Sequence, residues 1–453
     1  MHEPVLQEAV NQGFTPHLIG ALIVFGITYL LIITEKLDRT AAAVIGAGAV
    51  ILLHFIPHRV ALGKIDMDVM FLLVGMMTVV NILSETGLFE WVAVFIAQKA
   101  KGSGLLILAG LLVATAVLSA LLDNVTTVVL IAPITILITQ ILGIPTVPFL
   151  ILEALFSNIG GTATLVGDPP NILIGSKGGL TFNDFIIHLT PIVLLCMVAV
   201  LIGVGIIYGR HMHASPSARA RIMKARPDKA ITDAFRLKRG LVVFALILVG
   251  FCLSHSLHVE PGIIALSGAL IMVVVCRTSM REAMEKVEWE TIFFLIGLFM
   301  LVGALEHNGL FQWMGDGLFS MTRDNLFLAA LALMWTGAVL SAAFGNIPVV
   351  MAMIPLVHTM VPAFASEMAV VDEALIHTQI AQPLWWALAL GTCLGGNGTL
   401  FGAAANVVVA QISTKNGYKV SFWDFTRYGF PVMLATLVLC SLYIYLRYFA
   451  FVG

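Results

Sequence analysis

Shifted by 222 positions, the chain matches itself. Gly75 falls on Gly297, the run Gly87-Leu-Phe-Glu-Trp91 on Gly309-Leu-Phe-Gln-Trp313, and Ser119, Asn124 and Pro133 on Ser341, Asn346 and Pro355. Further on the shift grows to 235, where Gly160, Gly161, Thr164, Gly167 and Asn171 meet Gly395, Gly396, Thr399, Gly402 and Asn406. It reaches 240 where Phe182, Asp184, Phe185 and Pro191 meet Phe422, Asp424, Phe425 and Pro431. Matches of this density mark one duplicated unit, so any fold for the chain is built twice from the same parts.

What those parts are follows from their apolarity. With 59 % hydrophobic and 11 % charged residues the chain is too apolar for a water-soluble domain and reads as an integral membrane protein. Its net charge of -2 gives no sign of a nucleic-acid partner. Cys196, Cys252, Cys276, Cys393 and Cys440 lie in apolar stretches without pairing or metal spacing, so neither a disulfide framework nor a metal site is expected. No phosphate-binding loop occurs and no cofactor is implied; an ion gradient is the expected energy source, with an energising ATPase subunit left open. The start Met1-His-Glu-Pro lacks a basic region and cleavage site, so the first apolar span is expected to stay as an uncleaved anchor.

A membrane crossing takes about 20 apolar residues. Stretches near 17–34, 40–56, 68–85, 148–176 and 188–208 meet or approach that length, and counterparts recur near 240–257, 261–276, 290–306, 384–411 and 429–449. Between the third and fourth of each set lie two apolar arms around a polar tip, 105–141 and 326–361, which read equally as a re-entrant hairpin or as two spans. Either count gives an odd number of crossings, so the second copy enters from the opposite face. The segment 88–99 is too short to cross about 30 Å of hydrocarbon and reads as an interfacial helix. The expected fold is therefore an all-α polytopic membrane protein of two inverted-topology repeats, each with about five spans, one re-entrant helical hairpin and one unwound helix.

Charge placement orients this arrangement. The loops 35–39, 99–104, 209–240, 277–287 and 411–428 share one side and hold 19 of the 24 Lys and Arg, which makes that side cytoplasmic by the positive-inside rule. The expected division is a short extracytoplasmic N-terminus (1–16), a first repeat (17–209), a basic cytoplasmic linker (210–239) and a second repeat (240–453) in the inner, or plasma, membrane of a bacterium. The linker's plain reading is a topology determinant; binding of anionic lipid is the rival.

Within the apolar background, Gly160-Gly-Thr-Ala-Thr-Leu-Val-Gly-Asp-Pro-Pro-Asn171 and Gly395-Gly-Asn-Gly-Thr-Leu-Phe-Gly-Ala-Ala-Ala-Asn406 break two helices at corresponding places. Unwound backbone in a bilayer is tolerated only where protein or a watery cavity surrounds it, and its free N–H and C=O groups then hold ions or polar solutes. Thr162, Thr164 and Asn171, and Asn397, Thr399 and Asn406, add side-chain ligands; a packing kink is the plain alternative. The hairpin tips contribute Asp123, Asn124, Thr126 and Thr127 on one side and Asn346 on the other. Carboxylates at such depth cost about 2.5 to 3.5 kcal/mol and are functional by default. Asp123, Glu153 and Asp168 qualify as proton or cation carriers, and their counterparts are Gly345, Leu388 and Ala403, so the acidity is one-sided. Plain readings are an interhelical hydrogen bond for Glu153 and a helix cap for Asp168. Trp385 and Trp386 read as an interfacial aromatic belt, His54, His188, His307 and His358 as residues near span ends, and Cys393 as small packing.

With these residues in view, the chain resembles the arsenite and sodium/proton antiporter (ArsB/NhaD) branch of the ion transporter superfamily, nearest its P-permease subgroup, over essentially its whole length. The most specific element is the Gly160 to Asn171 motif, supported by Asn124 with Thr126 and Thr127 and by Asn346. The resemblance implies inverted repeats, two re-entrant hairpins, two unwound helices, frequent homodimers and elevator-like movement of a transport domain. It also implies that Asn124, residues 162–171, Asn346 and residues 397–406 surround the solute. Dicarboxylate carriers of the superfamily have Ser-Asn-Thr at both tips; here the tips read Asp123-Asn124-Val125-Thr126 and Gly345-Asn346-Ile347-Pro348, so a dicarboxylate is not the expected cargo. The expected activity is proton-coupled export of arsenite or a related small inorganic solute, with sodium/proton exchange second and an ion channel on the same scaffold third. An intramembrane enzyme is not expected, because no Ser or Cys pairs with a suitably placed His.

Overall fold

The computed structural model describes residues 15–33, 37–208, 215–224, 226–322 and 325–450. Most of the expected N-terminal segment 1–16, and residues 210–214 and 225 of the expected linker, lie outside them. The chain is an all-α polytopic membrane protein: among the described residues there is no strand, and nine helices are long and apolar enough to cross a bilayer.

Eighteen helices carry the architecture: α1 Pro16–Ile33, α2 Arg39–Leu52, α3 Met67–Ser84, α4 Leu88–Lys99, α5 Gly104–Leu121, α6 Asn124–Leu142, α7 Thr146–Gly161, α8 Pro169–Gly178 and α9 Thr190–Tyr208; then α10 Ala234–Leu257, α11 Pro261–Val275, α12 Trp289–His307, α13 Leu310–Met321, α14 Leu326–Phe344, α15 Asn346–Glu367, α16 Gln382–Gly395, α17 Ala404–Lys415 and α18 Phe422–Tyr448. Several repeated motifs resolve into local devices. The Gly-Leu-Phe-x-Trp run places Gly87 and Gly309 at φ 79° and 81°, a left-handed turn that lets α4 and α13 leave the preceding helix. Asp184 and Asp424 close capping boxes with Thr181 and Ser421, starting Phe182–His188 and α18 in the same way.

The helices sort into two layers. One packs α1, α2, α3, α10, α11 and α12 together; the other holds the hairpins α5–α6 and α14–α15, the broken pairs α7–α8 and α16–α17, and α9 and α18. Within the first layer, α12 runs alongside α2, with Thr40 Oγ1 donating to the Glu290 carbonyl (3.1 Å) at their starts and Gly297 against the Ala43 backbone. Likewise α11 runs alongside α3, with Gly262 N–H on Asp68 Oδ1 (2.8 Å) and Gly75 against Ala265. Glycine permits each close crossing, the usual device where helices meet in lipid. Because α3 is the counterpart of α12 but pairs with the counterpart of α2, corresponding helices alternate around the layer.

One end of the molecule gathers Thr40, Asn81, Glu85, Arg239, Lys286 and Glu290, tied by Asn81 to the Lys286 carbonyl (2.9 Å) and by the Lys286–Glu85 ion pair. The same end takes in Arg221 on the Ile141 carbonyl (2.9 Å) and Gln140 on the Tyr418 hydroxyl (3.2 Å). All five basic segments thus touch one face. Both ends of α4 meet the connector there, Gly87 beside Ala230 and Gly102 beside Arg219, so α4 lies along that face rather than crossing. The opposite end joins Phe55 to Asn308 (2.9 Å) and Lys64 to Glu306 (2.8 Å).

One expectation is overturned. Trp385 and Trp386 form no interfacial belt: they are 2 % and 0 % exposed, Trp386 stacked on His188 at 5.2 Å and Trp385 against Gly178 and His358. They fill the space beside the broken helices, Trp385 against Gly178 at the end of α8 and Trp386 against Phe185 and His188.

Candidate functional site

Every residue from 149 to 175 and from 380 to 398 is buried, so the first interrupted segment is walled by protein, as unwound backbone requires, while the second is buried up to Gly398 and reaches the surface at Phe401. The hairpin tips end in this interior. Ser119 Oγ donates to the Ser157 carbonyl (2.7 Å) and Ser341 Oγ to the Thr392 carbonyl (2.6 Å), so each tip stands level with the adjoining break. Beyond the first break α8 continues for about 15 Å. It runs antiparallel to α16, with Asn171 at Cys393 and Gly178 at Trp385, while α17 runs antiparallel to α7, with Asn406 at Asn158. The second half of each broken helix therefore lies in the other repeat, and the two breaks meet at the centre.

Asp168 occupies that centre, 0 % exposed. Its Oδ1 accepts from Asn124 Nδ2 of one tip (3.1 Å) and from Asn346 Nδ2 of the other (3.0 Å), with Oδ2 3.3 Å from Asn346. Its side chain caps no helix, although it stands at the N-cap position of α8. Capping falls to Asp123, whose Oδ1 takes the Thr126 N–H at 2.7 Å. The amino ends of α6, α8, α15 and α17 start at residues 124, 169, 346 and 404, and their partial positive charges surround one carboxylate.

The remaining candidates divide into ties and open groups. Thr164 and Thr399 bind the Ala120 and Ala342 carbonyls, fastening each break to its neighbouring hairpin, the latter at 2.5 Å. Asn171 and Asn406 turn their amides onto carbonyls of the breaks, Asn171 on Thr164 (2.9 Å) and Asn406 on Gly396 (2.8 Å). Thr162 bonds back to the Asn158 carbonyl (2.8 Å). Asn124 Oδ1, Thr127 Oγ1 and Asn397 Nδ2 are buried with no hydrogen-bond partner among the described residues, and these are the open valences at the junction. An unpartnered buried polar group costs about 1–3 kcal/mol, so three of them close to the two breaks make this junction the candidate site. Glu153 lies apart, within α7, bonded by Thr135 Oγ1 at 2.5 Å.

Sequence reading passed over Asn158, which joins the halves: its Nδ2 donates to Asn397 Oδ1 (2.9 Å) and Asn406 Oδ1 (3.0 Å), and its Oδ1 accepts from Asn124 (3.1 Å). At the shift of 235 it pairs with Cys393, so self-comparison gave no match. A polar residue just before Gly160-Gly161 was the available signal.

Helices that cross a bilayer, duplicated breaks and a walled polar junction define the class: a secondary transporter of the membrane. The family model described as "Citrate transporter" (CitMHS) matches residues 29–391, and the chain belongs to that family. It is 40 % identical over 433 residues to an uncharacterized transporter of Mycobacterium bovis, covering 95 % of this chain and 98 % of that protein. A Synechocystis uncharacterized transporter is 33 % identical over 435 residues, covering 94 % and 96 %. The P protein of Mus musculus is 32 % identical over 509 residues, with 94 % of this chain matched to 60 % of that longer protein.

Proposed function

We propose that this chain is a proton-coupled antiporter of the ArsB/NhaD type that exports a small inorganic solute, arsenite foremost, with Asp168 as the group that alternates between proton and cargo. The observation that carries the reading is Asp168 held by both tip asparagines, with no Lys, Arg or His in residues 104–176, 341–349 or 395–406. At an effective dielectric of about 20, each unit of negative charge brought within about 4 Å of that carboxylate costs about 4 kcal/mol. A citrate-like anion meets that cost several times over, whereas arsenite near neutral pH is an uncharged triol that takes donors and acceptors alike. Asn124, Thr127 and Asn397 are its contacts. The Cys393 thiol, 3.4 Å from Asn171 Oδ1, favours a soft metalloid over sodium.

In this reading the basic face, with the 210–239 linker, is cytoplasmic, the two repeats are inverted in the membrane, and the layer of hairpins and broken helices slides against the other layer as an elevator. The test is reconstitution into acid-loaded vesicles containing a pH-sensitive dye, with arsenite, sodium and citrate added separately. Arsenite alone collapsing the gradient supports the proposal. Collapse by sodium alone transfers the assignment to sodium/proton exchange, and conductance without coupled exchange transfers it to a channel.

A further inference from the structure

The first layer makes the same contacts twice. At the shift of 222, the meetings of Asp68 with Gly262 and of Gly75 with Ala265 become those of Glu290 with Thr40 and of Gly297 with Ala43. The second layer also repeats itself internally: α8 packs on α15 and α16, and α17 on their counterparts α6 and α7. Where the two layers touch, the correspondence stops. Helix α8 packs against α3, and its Ser176 (2.6 Å) and Lys177 (2.9 Å) hold Asp66, the N-cap residue of α3. The counterpart of Asp66 is Glu288, the N-cap residue of α12, and that of Ser176-Lys177 is Thr414-Lys415, at a shift of 238 between the 235 and 240 on either side. Glu288 accepts from Thr291 Oγ1 (3.2 Å), and neither it nor the exposed Lys415 forms an ion pair among the described residues.

What borders the unmade link is open. Gln411, Thr414 and Lys415 share one face of α17 and line a cleft of about 460 Å³ that reaches Leu400 and Phe401 of the second break. Phe401 is 46 % exposed, whereas its counterpart in the first break, Val166, is 2 % exposed. The charge of Asp123 at the first tip bears on Glu288, while Asp66 stands at the far end of α8. Two equivalent carboxylates of one layer thus face different levels of the other. A twofold arrangement would place them alike, so the second layer is displaced toward the basic face.

We infer that Glu288 and the Thr414-Lys415 end of α17 form a second link between the layers, which closes as the Asp66–Lys177 link opens and exchanges with it in each transport cycle. This rests on the inverted repeats and sliding layers proposed above. The structure described here is then the state open to the basic face, with the cleft beside Phe401 as its entrance. In the other state Lys415 moves from water onto Glu288, and the end of α8 leaves Asp66. The exchange carries one layer past the other by on the order of 15 Å, the length of a half-helix. A carboxylate with a hydroxyl and an ammonium partner at each end gives both states a contact of the same kind, which keeps them close in free energy, as alternating access requires.

The experiment reads the second link directly. Glu288→Cys with Lys415→Cys, and Glu288→Cys with Thr414→Cys as a second pair, are placed in a background lacking Cys196, Cys252, Cys276 and Cys440 but keeping the buried Cys393. Membranes are treated with a short bifunctional maleimide, and the rate at which the cross-linked peptide appears is followed by mass spectrometry. Both pairs are expected to cross-link, although Glu288 and Lys415 form no ion pair here. Adding Lys177→Glu sets like charges against each other at Asp66 and is expected to raise the rate at least about twofold, by shifting the protein toward the other state. Absence of the cross-link in both pairs overturns the inference, as does a rate that Lys177→Glu leaves unchanged or lowers. The rate depends on neither arsenite nor protons, so it separates a wrong link from a wrong cargo.

Discussion

Asp123 and Asp168 are the same side chain, and the donors in front of each set what it does. Asp123 satisfies the Thr126 N–H and starts α6, whereas Asp168 faces two asparagine amides from opposite tips. Replacing Asp168 by Asn removes the titrating group at almost constant shape, so proton-coupled flux is expected to fall by about 100-fold or more while the protein stays folded. Replacing Asn346 by Ala strips donors from the buried carboxylate and is expected to cost about 1.5–3 kcal/mol, read as a lowered midpoint of denaturation in detergent. Glu288, at the start of α12, is a third case. Burial, then the charge of Asp123, push its carboxyl up from 4.5 to about 7. The unfolded chain ionises first as pH rises, so this residue's contribution is complete below the unfolded value and is lost by about pH 7. Glu288→Gln is therefore expected to match the parent in melting temperature at about pH 4 and to exceed it at about pH 8. Burial at a crossing of distant helices leaves no local signature, which is why Glu288 was not among the carboxylates picked from the sequence.

Among the elements, the interruptions are tightly constrained by their neighbours. A Cβ on Gly160 would sit 2.2 Å from the Ala116 carbonyl oxygen, and one on Gly395 would sit 2.4 Å from Ala338 Cα. The same close approach of helix to hairpin is built twice. Gly160→Ala and Gly395→Ala should each push a hairpin arm off its helix and cost about 1–3 kcal/mol, measured as a fall in melting temperature, with the two losses similar. These glycines were legible as a repeated break because duplication preserved them. Whether the arms of 105–141 are two spans or a re-entrant hairpin was not legible, because α5 and α6 are each long enough to cross.

For the molecule as a whole, one buried apolar core runs through both layers, and at the face opposite the basic one a carboxylate links them. Asp66, capping α3, takes Ser176 Oγ at 2.6 Å and pairs with Lys177 of α8 at 2.9 Å. Its burial opposes ionisation, but Ser176, Lys177 and the Val69 N–H together draw its carboxyl below the usual range. An apolar cleft of about 390 Å³, lined by Phe25, Tyr29, Phe344 and Met353, lies between α1 and the second hairpin, whose Tyr29 and Phe344 rings meet edge to face at 6.4 Å. If transport slides one layer past the other, Asp66 and Lys177 separate in every cycle. Cysteines at both positions, in a background lacking Cys196, Cys252, Cys276 and Cys440 but keeping the buried Cys393, joined by a short cleavable reagent, should reduce solute flux to background, and reductive cleavage should restore it. Flux that persists through the cross-link rules out sliding at that contact.

Apolar length, twofold self-similarity and broken helices are properties of neighbouring residues or of the chain compared with itself, and they alone define a duplicated helical membrane protein with two interrupted segments. The valences that stay open at the junction depend on partners far along the chain: Asn158 meets Asn406 across 248 positions, and Asp168 meets Asn346 across 178. A hydrogen bond is made or left unmade by distances of a few tenths of an ångström in three dimensions. Only the packed helices could therefore give Asp123 to a cap and Asp168 to the centre, and leave polar atoms of Asn124, Thr127 and Asn397 unpaired.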